Sequence, residues 1–218
     1  MRRYPDKYFD LAVVDPPYGI QESGRNNKTR GVLTTAKNYK PFYGNDKEPP
    51  SREYFAELKR VSKNQIIFGA NHFISRIDNA DSSCWIVWDK CRPIGVDFAD
   101  FEMAWTSFDC AAKLFRYMWN GMCQGKNIDE GHIQQGNKRK NEFRIHPTQK
   151  PLNLYRWIYR EFKIPPRSKI IDTHLGSGTN RMAAYDFELE FVGCEIDEYY
   201  FELQEKAFEE YTAQMKFI

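Results

Sequence analysis

The sequence predicts an α/β fold: a mostly parallel sheet flanked by helices, with one antiparallel edge hairpin. Three observations carry this expectation. Short runs rich in β-branched and aromatic residues recur along the 218 residues, and the early ones are near-continuously apolar, as strands buried on both faces are. Segments with helical spacing of apolar residues lie between some of these runs. Two runs also stop on an aspartate that leads into a stiff or glycine-bearing turn, at the strand ends where open α/β sheets hold ligands.

Taken in order, the first strand is expected at 9–15 and runs into Asp15-Pro16-Pro17-Tyr18-Gly19. The prolines fix two φ angles at about −65° and Gly19 permits a sharp turn, so a carboxylate, two carbonyls and an aromatic ring share one rigid loop. Residues 20–50 are polar and without a sustained period, and a loop of that length is usually functional or disordered. "SREYFAELKRVS" offers Ser51 as an N-cap and aligns Phe55, Leu58 and Val61 on one helical face. Strands follow at 65–69, 84–88, 102–107 and 114–119, and then a second irregular stretch at 120–145. "PLNLYRWIYREF" places Pro151 in a first turn ahead of Leu154, Ile158 and Phe162. Strands at 169–172 and 191–195 and helices in "SGTNRMAAYDF" and "YYFELQEKAFEEYTAQM" complete the chain. Without repeats or a second core, residues 1–218 read as one domain.

Composition narrows the class. Hydrophobic residues at 41% and aromatics at 16% suffice for a sizeable core, and the mean hydropathy of −0.71 is that of a soluble chain. No apolar run approaches the roughly 20 residues that span a bilayer, and the opening "MRRYPDKYFDLAVVD" lacks the features of a secretory signal. The five cysteines, Cys84, Cys91, Cys110, Cys123 and Cys194, form no CxxC pair and read as reduced thiols of a cytoplasmic protein. Net charge is only +2, but it is unevenly spread. Arg25, Lys28, Arg30, Lys37, Lys40 and Lys47 crowd the first irregular stretch, Lys138, Arg139, Lys140, Arg144 and Lys150 the second, and the C-terminal part is acidic. A polyanion-binding face and ordinary solvated loops account for this equally well.

The second motif is "KIIDTHLGSGTNRMAAY", where a strand ends on Asp172 and a helix begins near Thr179. Gly176 and Gly178 allow a ligand close to the backbone, and the helix N-terminus offers unpaired N–H groups. About twenty residues on, "FVGCEID" ends its strand at Glu195, suited to accept hydrogen bonds from ribose hydroxyls. The third glycine of a dinucleotide fingerprint would fall at Arg181, and no G-K-[ST] closes the turn as in a P-loop. A nucleoside without pyrophosphate fits best, and S-adenosyl-L-methionine is the candidate; a merely structural turn is the alternative. His72, His132, His146 and His174 are scattered, and no metal is expected.

These residues together resemble the amino-group (adenine-N6/cytosine-N4) DNA methyltransferases. Asp15-Pro16-Pro17-Tyr18 is similar to their catalytic tetrapeptide, "HPTQKPLNL" (146–154) to the segment before their cofactor-side helix, "DTHLGSGT" to their cofactor loop and "FVGCEID" to their ribose-binding strand. The order, catalytic motif first, is that of the permuted β group, and "IIFGANHF" and "WIVWDK" are family-like too. Two departures stand out. Thr173 and His174 replace the usual Pro-Phe, and "MRRYPDKYFD" is too short for the strand that normally precedes the catalytic one beside the cofactor adenine.

The resemblance implies a Rossmann-like S-adenosylmethionine-dependent methyltransferase fold that has lost one N-terminal edge strand. Residues 1–120 would be the catalytic half, 146–218 the cofactor half, and 20–50 and 120–145 the target-facing loops. Asp15, Pro16, Pro17 and Tyr18 would be catalytic. Asp172, Thr173, His174, Leu175, Gly176, Ser177, Gly178, Thr179, Glu195 and Ile196 would bind the cofactor, with Thr148 and Lys150 near its methionine end. Arg25, Lys28, Arg30, Lys138, Arg139 and Lys140 would contact DNA, while Asp100 and Glu102 face either the base or solvent. The implied partner is double-stranded DNA with a flipped target base, in the cytoplasm of a bacterium or encoded by a phage, with no membrane and with a homodimer left open. The D-P-P-Y form points to adenine N6; cytosine N4, an RNA base, and a truncated non-catalytic nucleic-acid-binding homologue are the alternatives.

Overall fold

The apolar runs and helical patterns form nine strands and four α-helices among the residues described by the computed structural model, which are 1–20, 39–40, 46–91, 99–120, 123–124 and 142–215. In chain order they are β1 (Phe9–Val14), α1 (Arg52–Val61), β2 (Ser62–Phe68), β3 (Trp85–Asp89), β4 (Phe101–Thr106), β5 (Lys113–Arg116), β6 (Trp119–Asn120), β7 (Cys123–Gln124), α2 (Leu152–Glu161), β8 (Lys169–Asp172), α3 (Thr179–Asp186), β9 (Glu190–Gly193) and α4 (Glu198–Met215). Ser51 caps α1 as expected, its side chain accepting from the Tyr54 N–H. Pro151 lies one position before the helical first turn, as the N-cap of α2. It has no side-chain oxygen to offer, and the Glu142 carboxylate accepts the Leu152 N–H at 2.9 Å instead.

Seven strands form one sheet in the order β5-β3-β4-β2-β1-β8-β9. β1 runs parallel to β2 and β8, β8 parallel to β9, and β3 parallel to β5; β4 alone is reversed, antiparallel to both β2 and β3. The expected antiparallel hairpin is therefore β3–β4, but it does not form the edge. β5 adds outside β3, because its Phe115 joins the core and Trp88 Nε1 of β3 donates to the Tyr117 carbonyl just beyond it. At the other end β9 is the last strand among the described residues.

Alternation along β1 shows why the sheet is covered on both faces. Leu11 and Val13 pack with Leu154 and Ile158 of α2 and Ala183 and Ala184 of α3, while Ala12 and Val14 pack with Phe55, Leu58 and Val61 of α1. The β1–α1–β2 and β8–α3–β9 crossovers thus use opposite faces and move away from each other. β1 and β8 are the central parallel neighbours, so their carboxyl ends flank the crevice where such sheets bind ligands. An Arg156–Asp186 ion pair, with the Tyr211 hydroxyl hydrogen-bonded to both, ties α2, α3 and α4 together behind that crevice.

Candidate active site

The aspartate loop after β1 and the glycine turn after β8 open at the same rim, because their strands are parallel neighbours. Asn180, in the first turn of α3, joins them. Its Nδ2 donates to the Val13 carbonyl at 3.2 Å and to Asp172 Oδ2 at 2.8 Å, and its Oδ1 accepts from Tyr159 Oη at 2.5 Å. Both ends of this buried amide are satisfied, so the ends of β1 and β8 are held at a fixed separation.

Lys150 is the second link. Its carbonyl accepts from Thr179 Oγ1 at 3.1 Å, fixing the backbone to the glycine turn, while its Nζ lies 2.5 Å from Asp15 Oδ2 and 3.1 Å from Tyr18 Oη. The same ammonium lies 3.3 Å from Glu102 Oε2, and Lys90 Nζ holds Glu102 Oε1 at 2.6 Å. Burial opposes the charge on Lys150, but Asp15 and Glu102 outweigh it and raise its pKa. Burial likewise acts against ionised Glu102, yet Lys150 and Lys90 carry its carboxyl down to about 2. Asp15 is pushed up by burial, against the pull of the ammonium it shares. Lys150, expected near the methionine end of a cofactor, thus directs its charge at the aspartate loop.

Tyr18 donates its hydroxyl to Asp15 Oδ1 at 2.7 Å. Its ring stacks on His72, centroids 5.1 Å apart and planes at 14°, and lies against Gly69 at the end of β2. Gly69 has φ +66°, and a Cβ there would stand 2.1 Å from Tyr18 Cε1. Only glycine meets both demands without strain.

In the glycine turn, Gly176 and Gly178 have φ of +53° and +72°. Glu195 bends onto this turn: Oε2 accepts the Gly176 N–H at 2.7 Å, and Oε1 the Ile196 and Asp197 N–H groups at 2.9 Å each. Ile196 is 77% exposed beside it. Leu175 and Ser177 are buried within the turn, and Ser177 Oγ lies 3.2 Å from Thr179 Oγ1. His146 faces Gly176, and Thr148, which is exposed, places its hydroxyl 3.1 Å from His146 Nδ1. Thr173 and His174 turn toward α1: Tyr54 Oη lies 2.5 Å from Thr173 Oγ1, and the His174 ring meets the Tyr54 ring edge-on at 5.5 Å.

Asp172 accepts from the His174 N–H at 3.0 Å and from Asn180, but burial dominates and raises its pKa to about 7. A carboxyl whose folded pKa exceeds its unfolded value binds more protons in the native state, so its contribution to stability falls as pH rises from about 4 to 7. His146 and His174, held by burial at about 4, act in the opposite sense, losing stability as pH falls below 6.5. The difference between wild type and Asp172→Asn isolates the aspartate. The wild type is expected to lose stability relative to the variant across pH 4–7, by up to about 1.4 kcal/mol per unit of pH; urea unfolding of both at several pH values measures this, and a constant difference would contradict it.

The structure therefore gathers Asp15, Tyr18, Lys150, Asp172 and the Gly176–Gly178 turn at one rim, with Glu195 on the β9 side of it. Pro16 is buried and Pro17 partly so, in the same loop. Glu102 faces this cluster, whereas Asp100 is exposed. Arg25, Lys28, Arg30, Lys138, Arg139 and Lys140 lie outside the described residues. Sequence reasoning missed Asn180, Tyr54, Gly69 and His72; the signal for Asn180 was a polar residue directly following "GSGT". Among the described residues no cluster of three or more His, Cys, Asp or Glu could hold a metal, and no helix is long and apolar enough to cross a membrane. A cavity of about 400 Å³ lined by Lys7, Lys59, Asp81 and Trp105 opens at the opposite rim, away from Asp15.

Comparison with known proteins identifies the family of the chain. The N6/N4 methyltransferase family model, described as DNA methylase, matches residues 36–206, which is more than half of the chain. The type II methyltransferase M.HinfI of Haemophilus influenzae is 26% identical over 96% of the chain, and M2.MboI of Moraxella bovis 24% identical over 99%. The chain spans 66% of the length of the first and 86% of the second. Among solved structures, the M1.HpyAVI–SAM complex has a TM-score of 0.52 at 21% identity, covering 95% of this chain and 90% of that one. TTHA0409 of Thermus thermophilus, a putative DNA modification methylase complexed with S-adenosyl-L-methionine, reaches 0.55 at 15%, covering 96% and 90%. The cytosine-N4-specific PvuII DNA methyltransferase reaches 0.55 at 13%, covering 95% and 81%. These neighbours share the Rossmann-like methyltransferase fold, and the family match, over residues that include Lys150, the glycine turn and Glu195, shows that the chain belongs to the N6/N4 DNA methylase family.

Proposed function

We propose that the protein is a DNA methyltransferase that moves a methyl group from S-adenosyl-L-methionine to N6 of adenine in double-stranded DNA, acting on a base turned out of the helix. The observation that carries this reading is the shared rim: the Asp15 loop and the glycine turn face one crevice, joined through Asn180 and Lys150.

The glycine turn fits the cofactor. A Cβ added at Gly176 would meet nothing nearer than the His146 ring at 3.9 Å and the His174 carbonyl at 4.0 Å, so the backbone there is open to close approach. Glu195, now folded onto the turn, carries the carboxylate for the ribose hydroxyls, and the exposed Ile196 offers an apolar surface for adenine. Asp172, through Asn180, holds the strand end, and Leu175, Ser177 and Thr179 shape the turn; Thr173, His174 and Thr148 border it. Bound there, S-adenosylmethionine supplies a sulfonium-activated methyl group.

An exocyclic amine is a poor nucleophile because its lone pair is delocalised into the base. Asp15 accepts one of its N–H groups and the Pro16 carbonyl the other, which draws the nitrogen toward sp³ geometry and frees the lone pair. Transfer of the methyl group would leave the C–S bonding electrons on sulfur and positive charge on the amine nitrogen, whose proton Asp15 is placed to take. Pro16 and Pro17 keep the acceptors oriented beforehand, so little freedom is lost at the reaction step. Tyr18 flanks the base pocket. Residues 1–218 act as one domain, with 1–120 supplying the acceptor loop and 146–218 the cofactor side. The loops at 20–50 and 120–145, with Arg25, Lys28, Arg30, Lys138, Arg139 and Lys140, meet the DNA backbone.

Adenine is favoured by the D-P-P-Y form of the loop. Cytosine N4 is the second reading, since its amine presents the same two hydrogens and a cytosine-N4 enzyme is among the structural neighbours. The test is to incubate the protein with labelled S-adenosylmethionine and mixed genomic DNA, digest, and identify the labelled nucleoside. N6-methyladenine is expected; N4-methylcytosine would reassign the base, and an unlabelled digest would overturn the enzyme reading.

A further inference from the structure

We propose that Lys150 is a movable counter-ion. It occupies Asp15 while no base is bound and passes to Glu102 when the target amine arrives, which makes Glu102 a positioning residue acting through Lys150. The inference rests on the methyl-transfer reading of this site.

Both oxygens of Asp15 are already engaged, Oδ1 by Tyr18 Oη at 2.7 Å and Oδ2 by Lys150 Nζ at 2.5 Å. An ammonium so close weakens the carboxylate as an acceptor. It also repels the positive charge that grows on the amine nitrogen as the methyl arrives. For transfer, the ammonium has to withdraw, and a buried ammonium withdraws only to another anion. Glu102 is that anion. Its Oε2 is shielded from solvent, accepts no hydrogen bond among the described residues, and lies 3.3 Å from the same Nζ. A buried carboxylate oxygen left in this state is an unusual feature that a modest lysine rotation would satisfy.

The surroundings restrict the motion to the side chain. Thr179 fixes the Lys150 carbonyl, Lys90 holds the far oxygen of Glu102 at 2.6 Å, and the Phe68 ring, its centroid 4.8 Å from Nζ, lines the space beside the ammonium. Asp15 and Glu102 thus compete for one cation from fixed positions, and an incoming amine that donates to Asp15 tips the competition toward Glu102. The cation stays paired in either seat.

The test compares wild type, Glu102→Gln, and Glu102→Gln combined with Lys150→Met, measuring kcat and KM for DNA, calorimetric binding of S-adenosylmethionine, and thermal unfolding. Wild-type transfer is measured first, because its absence refutes the methyl-transfer reading itself. Glu102→Gln takes away the second seat, so Lys150 stays on Asp15, and kcat is expected to fall about 100-fold with cofactor binding unchanged. Adding Lys150→Met removes the obstructing charge and is expected to recover at least about tenfold of kcat, a non-additive rescue. A purely structural role for Glu102 predicts the reverse, since removing a second buried partner restores nothing. A double variant no faster than Glu102→Gln therefore overturns the proposal while leaving methyl transfer intact. Should Glu102→Gln fail to fold, Glu102→Asp, whose shorter carboxylate stands farther from Lys150, takes its place in the same comparison with the same two outcomes.

Discussion

Asp15→Ala is expected to reduce methyl transfer by about 10³-fold or more while leaving the fold and cofactor binding in place. Two features of the site argue for this separation. In the proposed mechanism the carboxylate is the acceptor that orients and activates the amine, and alanine leaves nothing at that position to accept a hydrogen bond. Removing a buried anion usually strands its partner, a loss of about 3–5 kcal/mol. Here Lys150 retains Glu102 3.3 Å away, so no unpaired ammonium is left in the core. Burial also works against ionised Asp15, so its loss relieves part of that penalty. The glycine turn makes no hydrogen bond to the Asp15 side chain, so calorimetric binding of S-adenosylmethionine should be close to that of wild type. Turnover within tenfold of wild type would remove Asp15 from the mechanism.

The second large effect is expected at Gly69, which touches no proposed substrate atom. Alanine there meets two obstacles, φ of +66° and the Tyr18 ring 2.1 Å from the new methyl. The left-handed backbone alone costs about 1–2 kcal/mol, which lowers Tm by roughly 2–8 °C in a domain of this size. The clash adds to this, because the ring is also held by its stacking on His72. Displacing Tyr18 pulls its hydroxyl from Asp15 Oδ1 and releases the loop that the two prolines hold, so transfer is expected to fall about 100-fold. Combining Gly69→Ala with Tyr18→Ala separates the causes: the steric part vanishes and the backbone part stays. Activity and Tm are the readouts. A Gly69→Ala protein as active as wild type would show that the position of Tyr18 does not matter.

Much of this arrangement was legible in the chain itself. Asp15 ahead of two prolines, and Asp172 ahead of a turn with two glycines, each carry local chemistry that fixes the backbone whatever surrounds it, and both were expected at strand ends. Ser51 was readable as a cap for the same reason. The residues that join the two motifs were not. Asn180 is one polar residue among several in α3, and its role depends on β1 and β8 being neighbours, a pairing between residues more than 150 apart. Lys150 and Glu102 show the same limit: each is an ordinary charged residue until the fold brings a strand of one half against a loop of the other. The place of β4 was equally a tertiary matter. A hairpin is encoded locally, whereas β5 covering its outer edge follows from where Phe115 and Trp88 find their partners. The resemblance of HPTQKPLNL, at the start of a helix, places Lys150 beside the cofactor; its backbone does border the glycine turn, but its long side chain crosses to Asp15.

The central claim is that the aspartate loop and the glycine turn serve one reaction from two sides of a single crevice. A crystal structure of the protein with S-adenosylmethionine tests it most directly. The account predicts the cofactor on the Gly176–Gly178 turn, its ribose at Glu195, and its sulfonium methyl aimed at Asp15 with room between them for one amino group. A cofactor bound at the opposite rim, or one whose methyl points away from Asp15, would contradict it.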